Sequence, residues 1–252
     1  MPRPKLFALL SGVNDYTPNV GKLHGCLNDV DAYDAWLSER FPADERSIQV
    51  LKDSTATRDG IITGFREHLA QAGPHDIVLF QFAGHGARWK SSAAFAPFYP
   101  DGFDEGLVCW DSRRDPSQAG SYDLADKELA VLVAELAARC PHVVVLLDCC
   151  HSGSGTRSAD DFSQLAVRMS HQVDTERPLD SYLAGHYRRL LEQKKKLETP
   201  ASRHILLAAC ERKKQAFEGY DRRGIFSSTL LEQLDKCHGQ TTYADLFRRV
   251  RV

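Results

Sequence analysis

Five short runs rich in branched and aromatic residues punctuate the chain: Leu6 to Leu10, Ser47 to Leu51, Ile77 to Phe82, Val143 to Leu147 and Ile205 to Ala209. Such continuous apolar runs mark strands buried on both faces, and amphipathic stretches between them read as the crossovers of a parallel sheet. Helices are predicted from Asp29 to Phe41, with Val30, Tyr33, Trp36 and Leu37 apolar, and from near Thr57 to about Leu69. Two more run from Asp126 to Ala138, with Leu129, Leu132, Val133 and Leu136 on one stripe, and from Ile225 to Leu234 after Gly224. The fold class is α/β: a mostly parallel central sheet with helices on both faces.

Two segments break this rhythm. Lys90 to Ser121 holds Pro97, Pro100 and Pro116 around Leu107-Val108-Cys109-Trp110, which predicts a loop with one small strand. Gly153 to Arg203 opens with Gly and Ser, continues with charges of both signs, and ends in a helical pattern at Leu183, Tyr187, Leu190 and Leu191 that runs into Lys194-Lys195-Lys196. A stretch of that length between core strands is usually functional or mobile. The charged ending from Phe247 to Val252 could lead into another module.

At 252 residues and 42% hydrophobic content the chain can bury a substantial core. Its 32 basic against 34 acidic side chains leave a formal charge of −2, which excludes binding dominated by nucleic-acid phosphates. Seven cysteines, an odd number spread from Cys26 to Cys237, make no disulfide framework and point to a reducing, cytoplasmic compartment. Leu6 to Leu10 reads as a buried strand rather than a signal segment, and no apolar run is long enough to span a bilayer, so no membrane partner is expected.

In open α/β sheets the chemistry gathers beyond the carboxyl ends of the strands. Two ends carry it here: Ala83-Gly84-His85-Gly86 and Asp148-Cys149-Cys150-His151-Ser152-Gly153. An imidazole flanked by glycines can approach a substrate, and a thiol at a neighbouring strand end could lose its proton to it and attack a carbonyl. The amides of Gly86 and Cys150 are natural donors to the oxyanion that would form. Alternation along the chain says only that one of Cys149 and Cys150 faces the cleft. A zinc site from these cysteines with His85 and His151 has the wrong spacing.

These two boxes resemble those of the caspase-like clan of cysteine peptidases, in its metacaspase and bacterial caspase-homologue branch. The similarity extends to Leu23-His-Gly-Cys-Leu-Asn-Asp29, to Asp101-Gly-Phe-Asp-Glu105 and to Gly224-Ile-Phe-Ser-Ser-Thr-Leu-Leu231. The resemblance implies the caspase-hemoglobinase fold in one peptidase domain: a large-subunit-like part over 1–152, a linker over 153–203 that could be cleaved, and a small-subunit-like part over 204–252. It implies His85 as base, Cys150 as nucleophile, Gly86 as oxyanion donor, and Asp29 and Asp148 lining a pocket with Cys26 beside them. Paired acids suit arginine first and lysine second. Ala83 replaces a frequent serine, removing a hydroxyl contact.

The implied activity is a cysteine endopeptidase acting on proteins or peptides, held as a zymogen in stress or defence and served by an activating protease or regulatory partner. A catalytically silent scaffold, or a protease with specificity for Asp, is the alternative. Basic positions where such an enzyme could cut the chain, expected to be accessible, are Arg157, Arg168, Arg177, Arg188, Arg189 and the run Lys194 to Lys196. No cofactor is expected as a requirement. Calcium is the one ion the resemblance raises, through Asp101, Asp104, Glu105 and Asp126, but the paired acid of the pattern reads Asp126-Lys127 here and the downstream acid aligns with Arg157.

Overall fold

The computed structural model describes residues 3–114, 121–150, 166–209 and 216–250. Its strands are β1 (Leu6–Gly12), β2 (Arg46–Lys52), β3 (Ile77–Ala83), β4 (Gly86–Lys90), β5 (Phe103–Leu107), β6 (Leu124–Ala125), β7 (Val143–Asp148) and β8 (Ile205–Ala208). The helices are α1 (Cys26–Arg40), α2 (Arg58–Thr63), α3 (Asp126–Ala137), α4 (His186–Glu192), α5 (Ile225–Lys236) and α6 (Tyr243–Val250). The five expected core strands form one parallel sheet in the order β2-β1-β3-β7-β8. No helix among the described residues is long and apolar enough to cross a membrane.

Period-two alternation sorts the sheet's side chains onto two faces. Leu6, Ala8, Leu10, Leu79, Val144 and Leu146 pack with Val30, Tyr33 and Leu37 of α1, Leu230 and Leu231 of α5 and Leu246 of α6. Phe7, Leu9, Val78, Phe80, Phe82, Val143, Val145 and Leu147 face the opposite way, onto Ile61, Phe65, Leu69, Val131, Leu132 and Leu136. Every residue of β1 is buried, which is why that strand carries no alternation in its sequence.

The helix expected from Thr57 is capped by the Thr57 hydroxyl, which accepts from Gly60 N at 2.9 Å, and passes from α into π and 3₁₀ turns through Gln71. Residues 247–250 of the charged ending belong to α6, whose Leu246 is buried. Lys90 to Ser121 departs most from expectation. The strand within it is Phe103–Leu107, not Leu107 to Trp110, and it is the middle of an antiparallel sheet β4-β5-β6. Its polar sequence hid it: Asp104 is buried because Lys127 Nζ of α3 bonds it at 2.6 Å.

Candidate active site

Parallel register brings the two chemical boxes side by side. Gly12 pairs with Ala83 and Ala83 with Asp148, so His85 and Cys150 each lie two residues beyond a matched position on adjacent strands. Gly84 between Ala83 and His85 cannot carry a side chain, since a Cβ there would stand 2.4 Å from the Tyr16 hydroxyl. That hydroxyl accepts from His85 N at 2.9 Å and donates to Val108 O at 3.0 Å, and the Tyr16 and His85 rings lie 4.8 Å apart.

His85 Nε2 lies 3.0 Å from Gly21 O. A carbonyl only accepts, so this contact puts the ring proton on Nε2 and the lone pair on Nδ1. Nδ1 is buried without a hydrogen-bond partner among the described residues. Burial, against the opposing pull of the Gly21 carbonyl, lowers the His85 pKa to about 4, so the imidazole is neutral near pH 7.

The adjacent cysteines separate as alternation requires. Cys149 joins the core beside Val145 and Leu147. Cys150, also buried, receives the backbone N–H of Ala216 on its Sγ. Its own N–H donates to Arg168 O at 3.0 Å, and Gly86 N donates to the same oxygen at 3.1 Å. The two amides expected to stabilise an oxyanion thus converge on one peptide carbonyl.

The side chain of that same residue fills the expected acidic pocket. Arg168 Nη2 donates to Asp29 Oδ2 at 2.6 Å and Glu218 Oε1 at 3.3 Å, while Nη1 lies 3.1 Å from Asp148 Oδ2. Backbone N–H groups hold the acids in place: Gly224 N donates to both Asp29 oxygens at 3.0 Å, Ser227 N to Asp148 at 3.1 Å, and His24 N and Gly25 N to Glu218 at 2.9 and 2.8 Å. Cys26 Sγ also reaches Glu218, at 3.6 Å, so it supports the pocket through this acid. Asp29 sits in the first turn of α1, yet it serves this cluster rather than capping its helix. Burial raises its pKa to about 7, with the Arg168 guanidinium pulling down and Asp148 pushing up.

Gly86 and Cys150 thus meet the Arg168 carbonyl, Asp29 and Asp148 its guanidinium, and Cys26 the Glu218 carboxylate beside it, while His85 adjoins Gly86 in the chain. His151, Arg157 and Cys210 lie outside the described residues. Sequence reasoning missed Glu218 and Tyr16. Glu218 follows the short Ala216-Phe217 piece six residues before Gly224, and nothing periodic marks it; Tyr16 reaches His85 only through the fold. The expectation that Arg168 and Arg177 are accessible is overturned, because both side chains are buried. Arg177 is bonded to Glu128 at 3.0 Å and to Asp123 O at 3.0 Å. Arg188, Arg189 and Lys194 to Lys196 are exposed.

The calcium candidates do not fit an ion. Both Asp104 oxygens are taken, by Lys127 Nζ at 2.6 Å and the Tyr182 hydroxyl at 2.5 Å, and the same ammonium lies 3.5 Å from Asp126. A fixed cation occupies the place a divalent ion would need, and no group of three or more metal-ligating side chains is positioned for one among the described residues.

A family model described as the caspase domain matches residues 5–252. Metacaspase-1 of Schizosaccharomyces pombe is 25% identical over 250 residues, which cover 94% of this chain and 55% of that protein. Metacaspase-1 of Mycosarcoma maydis is 31% identical over 153 residues, covering 58% of this chain and 35% of its own length. The chain spans about half the length of the first relative and a third of the second. A crystal structure of a Geobacter sulfurreducens protein shares the fold at a TM-score of 0.65 and 23% identity, covering 98% of this chain and 88% of that one.

Proposed function

Since the chain belongs to the caspase-domain family, we propose that it is a cysteine endopeptidase that cuts after arginine and, less efficiently, after lysine. Cys150 Sγ attacks the scissile carbonyl while His85 Nδ1 takes the thiol proton. The Gly86 and Cys150 amides hold the oxyanion, and His85 returns the proton to the leaving amine. Water then hydrolyses the thioester. Tyr16 positions His85 by fixing its backbone N–H and one face of its ring.

One observation carries this reading: an arginine already sits in the cleft with its carbonyl oxygen on both proposed oxyanion donors and its guanidinium among Asp29, Asp148 and Glu218. A guanidinium can serve several carboxylates at once through its fixed fork of donors, whereas an ammonium is a single point, which ranks lysine second. Three acids in the pocket count against an acidic residue there. The test is hydrolysis of fluorogenic peptides ending in Arg, Lys or Asp by wild type and Cys150→Ala. Turnover of the Arg peptide that vanishes in the variant is expected; equal turnover by the two proteins would remove Cys150, and preference for Asp would overturn the pocket.

A further inference from the structure

The apolar layer between the sheet and α1 is closed at one end and open at the other. At the carboxyl end of β1, Gly12 lets α1 lie directly on the strand, since a Cβ there would stand 2.7 Å from Val30 Cγ2 and 2.8 Å from Cys26 O. Toward the amino end of the same strand, a cavity of about 390 Å³ lies between Leu6 and the last turn of α1 at Leu37. Its wall is aliphatic, with Leu79 and Leu146 of β3 and β7 facing Leu230 of α5 and Leu246 of α6. Trp36 completes the α1 side and is held there: its Nε1 donates to Asp235 at 2.9 Å, and the Arg40 guanidinium lies 4.2 Å from its ring.

Polar groups collect where the cavity meets solvent. Tyr243, 39% exposed at the start of α6, lines it, and its hydroxyl lies 2.6 Å from Nε2 of His142, which lines it too and directly precedes β7. An apolar cavity of about 150 Å³ already admits benzene, and small-molecule sites of roughly 300–1,000 Å³ combine an apolar wall with a few polar groups. This cavity has that size and that division. Its leucines suit a flexible hydrocarbon chain. A phenol O–H and an imidazole N–H are both donors, and they suit a terminal carboxylate, which only accepts.

We infer that this cavity binds a medium-chain fatty acid, with the chain among the leucines and the carboxylate accepting from Tyr243 Oη and His142 Nε2. The site is separate from the proposed catalytic groups. It borders the amino ends of β1, β3 and β7, at Leu6, Ile77 and His142, whereas His85 and Cys150 follow the carboxyl ends of β3 and β7. Binding is therefore independent of peptidase activity and can be measured equally in wild type and in Cys150→Ala.

The test titrates decanoic acid, with decanol in parallel, into wild type, Tyr243→Phe and Leu146→Trp, followed by calorimetry and tryptophan fluorescence. Decanoate should bind wild type one to one, more tightly than decanol, and change an emission that Trp36→Phe removes. Tyr243→Phe keeps the ring and the cavity but loses one donor to a charged acceptor, so decanoate should bind at least about tenfold more weakly and lose its advantage over decanol. Leu146→Trp places a larger side chain in the space the cavity provides, so it should fold with an unchanged circular dichroism spectrum and bind decanoate at least about tenfold more weakly.

Absence of saturable one-to-one binding to wild type would overturn the inference, and so would a folded Leu146→Trp that binds decanoate as tightly as wild type does. If Leu146→Trp does not fold, Tyr243→Phe decides: undiminished affinity for decanoate overturns the site. Decanol binding as tightly as decanoate to wild type would overturn the assignment of the carboxylate. Each of these results leaves the proposed peptidase activity standing, since the Arg-peptide assay tests that separately.

Discussion

Asp29→Asn isolates the pocket from the reacting atoms. Asp29 Oδ2 accepts from Arg168 at 2.6 Å and both its oxygens accept from Gly224 N, all fully buried. Asparagine keeps an oxygen for Gly224 but turns an amide donor toward the guanidinium. Losing one charge-assisted hydrogen bond of about 1.5–3 kcal/mol should lower kcat/KM for Arg-ending peptides by about 10- to 150-fold. Asp148 and Glu218 remain to hold the cation, so activity should fall without vanishing. The deficit also has a pH signature. With a pKa raised to about 7, Asp29 is ionised above that value and progressively protonated below it, so the wild-type advantage should be full in mild alkali and shrink as pH falls through 7. The assay compares kcat/KM of wild type and variant over that range with peptides ending in Arg and in Ala. An equal loss on both peptides, or a deficit that does not narrow at low pH, would refute a direct contact between Asp29 and the substrate cation.

Tyr16→Phe leaves the His85 N–H and the Val108 carbonyl without their partner, which should cost about 1–3 kcal/mol of unfolding free energy in denaturant titration and lower kcat with little change in KM. Gly224→Ala would bring a Cβ to 2.0 Å from Asp148 Oδ2 and 2.5 Å from Arg168 Nη1, so selectivity for Arg over Ala should collapse in the same peptide assay. His85, its pKa lowered to about 4, is neutral above that value, so kcat for the Arg peptide should hold level down to near pH 5 and fall below it. The same shift makes the native state bind fewer protons than the unfolded chain between about 4 and 6.5, so His85 contributes stability that is lost as pH falls through that window. Because Lys127 fills the acidic cluster around Asp104, a calcium chelator should leave turnover unchanged.

The sheet was legible because its inner strands β1, β3 and β7 are buried on both faces and read as unbroken apolar runs, while the partly exposed edge strands β2 and β8 are still rich in branched residues: all five expected positions are strands. The antiparallel sheet was not, because Asp104 and Glu105 look like loop residues until Lys127 of another element neutralises the buried acid. His85 and Cys150 stood out as reactive groups at strand ends, and the family resemblance selected Cys150 over Cys149. Glu218 and Arg168 were hidden for a different reason. A lone charge in a sequence reads as solvated surface, and only the fold brings Arg168 into a ring of three acids drawn from α1, the end of β7 and the stretch after Ala216.

An irreversible arginyl affinity label whose electrophile stands at the scissile carbonyl, followed by peptide mapping, puts the central assignment to the most direct test. The account predicts one adduct, on Cys150 Sγ, that an aspartyl analogue fails to form. An adduct on Cys149, or efficient labelling by the aspartyl analogue, would contradict it.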